Sequence, residues 1–346
     1  MATHFQREIS EQPRVIERLL REGRDAAEAT ARAIRRFGPE WVMLAARGSS
    51  DNAARYAQYL FGAHNRLGVG LAVPSLFTLY GSPPRLSRTL TIGISQSGQS
   101  PDIVSVLREA RAQGAITLAV SNEPESPLAQ TAEYQLPLLA GPELAVAATK
   151  TYTAQLFALA MLSAALEGNP QRWTELSRVP EWLDETIARN TDLESPVNEF
   201  RAARQLIVLG RGFNYSTAFE LALKLKETSY LLAEPYSVAD LLHGPVALIE
   251  RDFPVILIAP SGRSLVDVPN LLSLLEERGA CVLAISNAPE VLSRVPLQLQ
   301  LPADLPEWLS PIVSVVPGQL FAGALAIGSG QNPDRPRGLA KVTLTR

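Results

Sequence analysis

Trp41-Val42-Met43-Leu44-Ala45-Ala46-Arg47-Gly48 reads as a buried strand entering a glycine turn. It returns 164 residues later as Gln205-Leu206-Ile207-Val208-Leu209-Gly210-Arg211-Gly212. At the same offset Ile94-Ser95-Gln96-Ser97-Gly98-Gln99-Ser100 lines up with Ile258-Ala259-Pro260-Ser261-Gly262-Arg263-Ser264. Leu118-Ala119-Val120-Ser121-Asn122 then matches Leu283-Ala284-Ile285-Ser286-Asn287 at an offset of 165. Matches in the same order, at a domain-sized period, mark a duplicated domain and not a short-period solenoid. In the first copy Thr89 to Ile94 and Ile116 to Val120 read as strands on either side of a helix from Asp102 to Ala112. Continuous apolar strands separated by amphipathic helices predict a parallel sheet covered on both faces. Right-handed crossovers then give an α/β fold of two tandem, doubly wound parallel sheets flanked by helices.

The expected organisation is an N-terminal helix over 1–29, a first copy over 30–166 and a helical linker over 167–196. The second copy then covers 197–328, and a proline- and arginine-rich tail carrying Lys341 covers 329–346. With 346 residues, 46% of them hydrophobic, the chain has apolar material for two cores, which excludes a disordered chain. The net charge of −3 lacks the positive field a nucleic-acid partner requires. The single cysteine, Cys281, permits no intrachain disulfide, suits a reducing compartment and reads as a buried structural thiol. Met1 to Arg24 is charged and has no apolar core of the secretory kind. Leu156 to Leu166, read as the most apolar stretch, is too short to span a bilayer. A soluble, cytoplasmic protein with no membrane partner is expected. Three scattered histidines and one cysteine offer no metal-ligand spacing, so no metal is expected. No Walker loop is present and no G-x-G-x-x-G follows a strand, so no nucleotide or nicotinamide cofactor is expected.

Ser95-Gln96-Ser97-Gly98-Gln99-Ser100-Pro101-Asp102 lies where a strand ends and a helix begins. Unpaired N–H groups and the positive end of the helix dipole meet there, beside serine hydroxyls and a glycine. The run reads either as a Ser-rich helix cap or as a phosphate-binding turn. In the second copy Ala259 and Pro260 replace Ser95 and Gln96, removing a hydroxyl, an amide and a backbone donor. One copy has thus kept a polar cradle and the other only the fold. Gly48-Ser49-Ser50-Asp51-Asn52 forms a second strand-to-helix turn able to offer a hydroxyl to the same anion.

Phe219 to Glu227 reads as a helix on which Glu220, Lys224 and Glu227 share one face at i, i+4 and i+7. The stripe is either a solvated face with two ion pairs or a proton-transfer device beside a sugar. His243, between Ala239-Asp240-Leu241-Leu242 and Gly244-Pro245, is either a capping or core histidine or a group that opens a sugar ring near neutral pH. His4 and His64 lie in weaker contexts.

Several stretches together resemble one family. Glu220 to Ile249, Ile94 to Ser100, Val146-Ala147-Ala148-Thr149-Lys150 and Pro336-Arg337-Gly338-Leu339-Ala340-Lys341 are similar, in order, to the isomerase half of the glucosamine-6-phosphate synthases. That half is built from two sugar-isomerase (SIS) domains. The resemblance runs from about residue 30 to the C-terminus. It implies that Ser50, Ser95, Gln96, Ser97 and Ser100 hold the phosphate of an amino sugar, with Gly48, Ser49, Val146 and Ala340 against the rest of the substrate. Glu227 would move a proton between C1 and C2, with Lys224 and Glu220 beside it. His243 would assist ring opening from the neighbouring subunit of a homodimer with shared active sites. Lys341 would form a Schiff base with the open-chain keto sugar. Arg47 stands where the synthases have cysteine, Ala148 where they have serine, and Gln99-Ser100 replaces an acidic residue and threonine.

The synthases use a glutaminase domain with an N-terminal cysteine, whereas this sequence starts Met1-Ala2-Thr3. The expected reaction is therefore that of the stand-alone SIS-type deaminases: glucosamine 6-phosphate to fructose 6-phosphate and ammonia. Alternatives within the enzyme class are a fructosamine-6-phosphate deglycase and a galactosamine-6-phosphate deaminase. From another class comes a non-catalytic phosphosugar sensor. Sensor relatives carry a helix-turn-helix before one SIS domain, whereas two copies follow a short N-terminal segment here.

Overall fold

The computed structural model describes residues 2–341. Helices α1 (His4–Ser10) and α2 (Gln12–Phe37) come first. Next come β1 (Trp41–Ala45), α3 (Ser49–Asn65), β2 (Gly68–Leu71), α4 (Ser75–Thr78), β3 (Thr89–Ile94) and α5 (Pro101–Ala112). β4 (Ile116–Ser121), α6 (Pro127–Thr131), β5 (Tyr134–Pro137), α7 (Lys150–Glu167) and α8 (Pro170–Ser177) follow. The second copy brings α9 (Val179–Arg189), α10 (Glu194–Phe200), β6 (Gln205–Gly210), α11 (Tyr215–Ser229), β7 (Leu232–Ser237) and α12 (Val238–Leu242). It ends with β8 (Pro254–Ile258), α13 (Val268–Arg278), β9 (Cys281–Ser286), α14 (Pro289–Leu292), β10 (Leu297–Gln300) and α15 (Ser310–Gly328).

The chain divides into two compact units. The first holds Arg14–Glu143, Lys150–Ser177, Ala340 and Lys341; the second holds the segment up to Pro13, Leu144–Thr149 and Arg178–Leu339. Each carries one five-stranded sheet, in the orders β2-β1-β3-β4-β5 and β10-β9-β8-β6-β7, and every pairing is parallel. The registers repeat with the sequence. Leu44 faces Ile92, which faces Leu118; Val208 and Ile256, 164 residues on, face each other, and Ile256 faces Leu283, 165 residues on from Leu118. Two α/β sheets of one topology are thus built from the duplicated sequence. In each, strand order reverses between the first and third strands, and that reversal opens a crevice at the C-terminal edge. The crevices lie at β1/β3 and at β6/β8.

The first sheet is sealed by strands buried on both faces: all six residues of β3 and of β4 are buried. Thr89 and Thr91 survive there because their hydroxyls meet at 2.9 Å and Thr89 also donates to the Leu86 carbonyl at 2.8 Å. Helix α7 is buried from Lys150 to Ala165 and so is apolar around nearly its whole circumference. The structure corrects one expectation about length. The stretch Glu307–Gly328, and not Leu156 to Leu166, is long and apolar enough to cross a membrane, with a mean hydropathy of 1.6 over its most apolar 18 residues. That window is 78% buried within the fold, however, and α15 serves as a core helix of the second unit.

Candidate active site

In the first unit the two predicted turns lie side by side, because β1 and β3 are neighbours at the strand-order reversal. Gly48 leads β1 into α3, and Ser95 leads β3 toward α5. Ser95 is buried, and its hydroxyl accepts from the Gly98 N–H at 3.1 Å. The turn needs glycine at 98: φ is +62°, and a Cβ would fall 2.1 Å from Ser126 Oγ. Ser97 Oγ accepts from Gln99 N at 3.3 Å. Ser100 holds the cap position of α5 without a side-chain capping bond, so its hydroxyl is not spent on the helix. Ser50 is buried and accepts from Gln155 Nε2 of α7 at 2.9 Å, a partner the sequence did not suggest. Ser49 and Gln96 are half-buried at the same edge, and Gly48 is exposed with φ +55°.

Arg47 explains its own departure from the synthase pattern. Its Nε donates to Asp102 Oδ2 at 2.7 Å, clasping the end of β1 to the first turn of α5. Asp102 is fully enclosed and the arginine side chain is 51% exposed. The second unit repeats the clasp with Arg211 and Asp267. Arg47 therefore has a structural duty inherited through the duplication, and it leaves positive charge at the mouth of the cradle.

The second copy's turn is closed in a way the sequence did not reveal. Glu307 reaches across and accepts from the backbone N–H groups of Arg263 and Ser264, both at 2.9 Å. A Cβ at Gly262 would fall 2.4 Å from Glu307 Cδ, so only glycine lets the carboxylate seat. In the second copy, the turn equivalent to Ser95–Ser100 thus takes the chain's own carboxylate on its N–H groups. Glu307→Ala should lower stability by about 1–3 kcal/mol through these charge-assisted bonds. An unchanged urea midpoint would show that the carboxylate does not hold this turn.

In the second unit, α11 is fixed at its start by a buried amide. Asn214 donates to Ser310 Oγ at 2.6 Å and accepts from Ser314 Oγ at 2.6 Å and from Thr217 Oγ1 at 3.0 Å. This ties α11 to α15, and Leu221 packs against Gly318. The stripe on α11 is not a solvated face. Glu220 and Lys224 are 0% exposed, and Lys224 Nζ lies 3.4 Å from Glu220 Oε1 and 2.5 Å from Glu227 Oε2. Burial by itself would depress the Lys224 ammonium, but the two carboxylates outweigh it and hold the group above its ordinary range. Lys224 is therefore a fixed cation at neutral pH. Of the two carboxylates only Glu227, 23% exposed, opens to solvent.

His243 follows α12, and its backbone N–H donates to the Asp240 carbonyl at 3.1 Å. The residue is exposed, which excludes a core role. Val146 is half-buried, with its N–H donating to the Asp334 carbonyl at 3.3 Å. The tail is strung on specific contacts. Asp334 accepts from His4 N at 2.9 Å and Phe5 N at 2.7 Å; Arg337 N donates to Tyr230 Oη at 2.8 Å, with its guanidinium 4.0 Å over that ring. Ala340 is exposed. Lys341, in the first unit, is not a solvated tail lysine: it is half-buried with Nζ 2.7 Å from Glu143 Oε2.

A cavity of about 490 Å³ lies at the opposite, N-terminal edge of the second sheet, where Cys281 begins β9. Cys281 is only half-buried, and desolvation, with help from Glu199 and Asp252, pushes its thiol up and away from reactivity.

Comparison with known proteins matches the SIS domain family twice, over residues 40–165 and 199–328. The glutamine–fructose-6-phosphate aminotransferase (isomerizing) of Thermococcus kodakarensis is 36% identical over 348 residues. That alignment takes in 98% of this chain but 57% of the relative, so the chain spans little more than half of that protein. A candidate phosphosugar isomerase from Silicibacter pomeroyi DSS-3 superposes with a TM-score of 0.87 at 33% identity, covering 96% of this chain and 100% of that one. The C-terminal domain of glucosamine-fructose-6-phosphate aminotransferase from Francisella tularensis gives a TM-score of 0.87 at 26% identity, with coverage of 97% and 99%. Both halves of the duplicated sequence fold as the family predicts, and the chain belongs to the SIS domain family as a tandem pair.

Proposed function

We propose that the protein is an isomerase-type deaminase that converts glucosamine 6-phosphate and water to fructose 6-phosphate and ammonia. The observation that carries this reading is the buried Glu220–Lys224–Glu227 stripe, in which a fixed cation orients one partly exposed carboxylate. A carboxylate held this way suits proton transfer between adjacent carbons. The relatives that match along nearly the whole chain are named for fructose 6-phosphate chemistry, which supports the substrate class.

The serine turns after β1 and β3 would take the phosphate through backbone N–H groups and hydroxyls, with Arg47 adding charge at the mouth. His243 would pass a proton to the ring oxygen and open the pyranose. Glu227 would remove the C2 proton and return it at C1, leaving an imine at C2. Water then adds at C2 and ammonia leaves, either directly or after Lys341 has displaced it as a Schiff base.

The test is ammonia release from purified protein given glucosamine 6-phosphate without glutamine, with fructose 6-phosphate detected by a coupled enzyme. Both products are expected in equal amounts. Binding without either product would overturn the deaminase reading, and cleavage of a fructosamine 6-phosphate instead would reassign the chain as a deglycase.

A further inference from the structure

Glu143 was not among the residues singled out by the sequence, and nothing in the steps above uses it. It follows Gly141-Pro142 in the loop between β5 and α7, and its side chain is 0% exposed. Its two oxygens are committed with care. Oε1 accepts from Thr151 N at 3.0 Å, and Oε2 accepts from Thr151 Oγ1 at 2.7 Å and from Lys341 Nζ at 2.7 Å. Thr151 is the second residue of the 18-residue helix α7, so the carboxylate sits at the positive end of that helix. Glu143 is thus anchored on the scaffold, while Lys341 arrives on a segment that, from 331 to 341, holds turns but no helix or strand. A buried carboxylate with a lysine as counter-ion is a strong positional restraint, because parting the pair leaves a charge in a dry site.

We propose that Glu143 is the positioning residue for Lys341, and that it carries the proton which Lys341 must lose and regain when it forms a Schiff base. The inference rests on the Schiff-base role given to Lys341 above. An ammonium paired with a carboxylate is no nucleophile. Glu143 takes one proton from it, and the free amine attacks the C2 carbonyl carbon of open-chain fructose 6-phosphate to give a carbinolamine. Glu143 returns that proton to the departing oxygen, which also takes a second hydrogen from nitrogen and leaves as water. One hydrogen stays on the iminium nitrogen, so no net proton is gained or lost. The carboxylate then faces a cation again, as in the resting pair.

The experiment is reductive trapping. Full-length protein is incubated with fructose 6-phosphate and borohydride, and the adduct on Lys341 is measured by mass spectrometry for wild type, Glu143→Gln, Glu143→Asp and Lys341→Met. Glutamine is isosteric: its oxygen still accepts from Thr151 N and its amide can donate to Thr151 Oγ1, so the fold should hold. Unchanged affinity for fructose 6-phosphate checks this. Wild type should be trapped at Lys341 and Lys341→Met should not. Glu143→Gln should slow trapping and turnover about 10- to 100-fold at unchanged KM, as expected for a misplaced reacting group. Glu143→Asp should restore part of the rate, which a merely structural role would not produce. Trapping of Glu143→Gln at the wild-type rate overturns the role of Glu143 alone. No adduct in wild type removes the Schiff-base reading, and the role of Glu143 falls with it.

Discussion

Glu227→Gln protein should bind glucosamine 6-phosphate normally and turn it over about 10²- to 10⁴-fold more slowly, the range expected when a positioned general base is lost. KM should barely move, because the turns proposed to take the phosphate follow β1 and β3 and not α11. Stability should change by no more than about 1 kcal/mol, since Glu227 is partly exposed and Lys224 keeps Glu220. The split between kcat and KM is the informative part. Near-normal turnover would mean that another group moves the proton. The same variant also tests whether sites are shared between subunits. If His243 acts across a two-fold axis, mixing inactive Glu227→Gln and His243→Ala chains should restore about a quarter of the wild-type rate. Half of the dimers are then mixed, and each has one intact site. No recovery would place both residues in one chain's site.

Lys224→Met should be the most destabilising single change in α11, at about 3–5 kcal/mol in urea or thermal unfolding. Methionine matches the shape of the stem, so the loss comes from charge. It takes the counter-ion from Glu220, whose side chain is 0% exposed. Adding Glu220→Gln should recover much of the loss, because removing both charges is far cheaper than removing one. The sign with pH follows from the raised pKa of Lys224. Such a group stabilises fully below the unfolded lysine value of about 10.4, so the penalty should be undiminished across neutral pH. A loss below about 1 kcal/mol would show that water reaches Glu220. Activity should fall as well, because Glu227 loses the cation that orients it.

The duplication was legible because it leaves marks on every level of the chain. The apolar runs that became β1 and β6, or β3 and β8, must be buried on both faces, and burial on both faces forbids polar interruption. The turn after β3 was legible for a similar reason: a tight strand-to-helix turn needs a glycine and small residues at set places. Gly98, pressed against Ser126, is such a place. The stripe of Glu220, Lys224 and Glu227 was visible as a spacing, but spacing alone suited a wet surface equally well.

What the sequence by itself determined is therefore the pair of α/β domains, the serine-rich strand-to-helix turn in the first, and the helix face carrying three charges. Only the tertiary structure decided that Glu220 and Lys224 are buried while Glu227 opens to solvent, that Arg47 clasps Asp102, and that Glu307 closes the second copy's turn. It alone decided, too, that Lys341 meets Glu143. The reason is physical. Strand and helix patterns are local, set by neighbours within a few residues. Arg47 and Asp102 lie 55 residues apart and Glu143 and Lys341 lie 198 apart, and contacts at such separations exist only after the chain has packed.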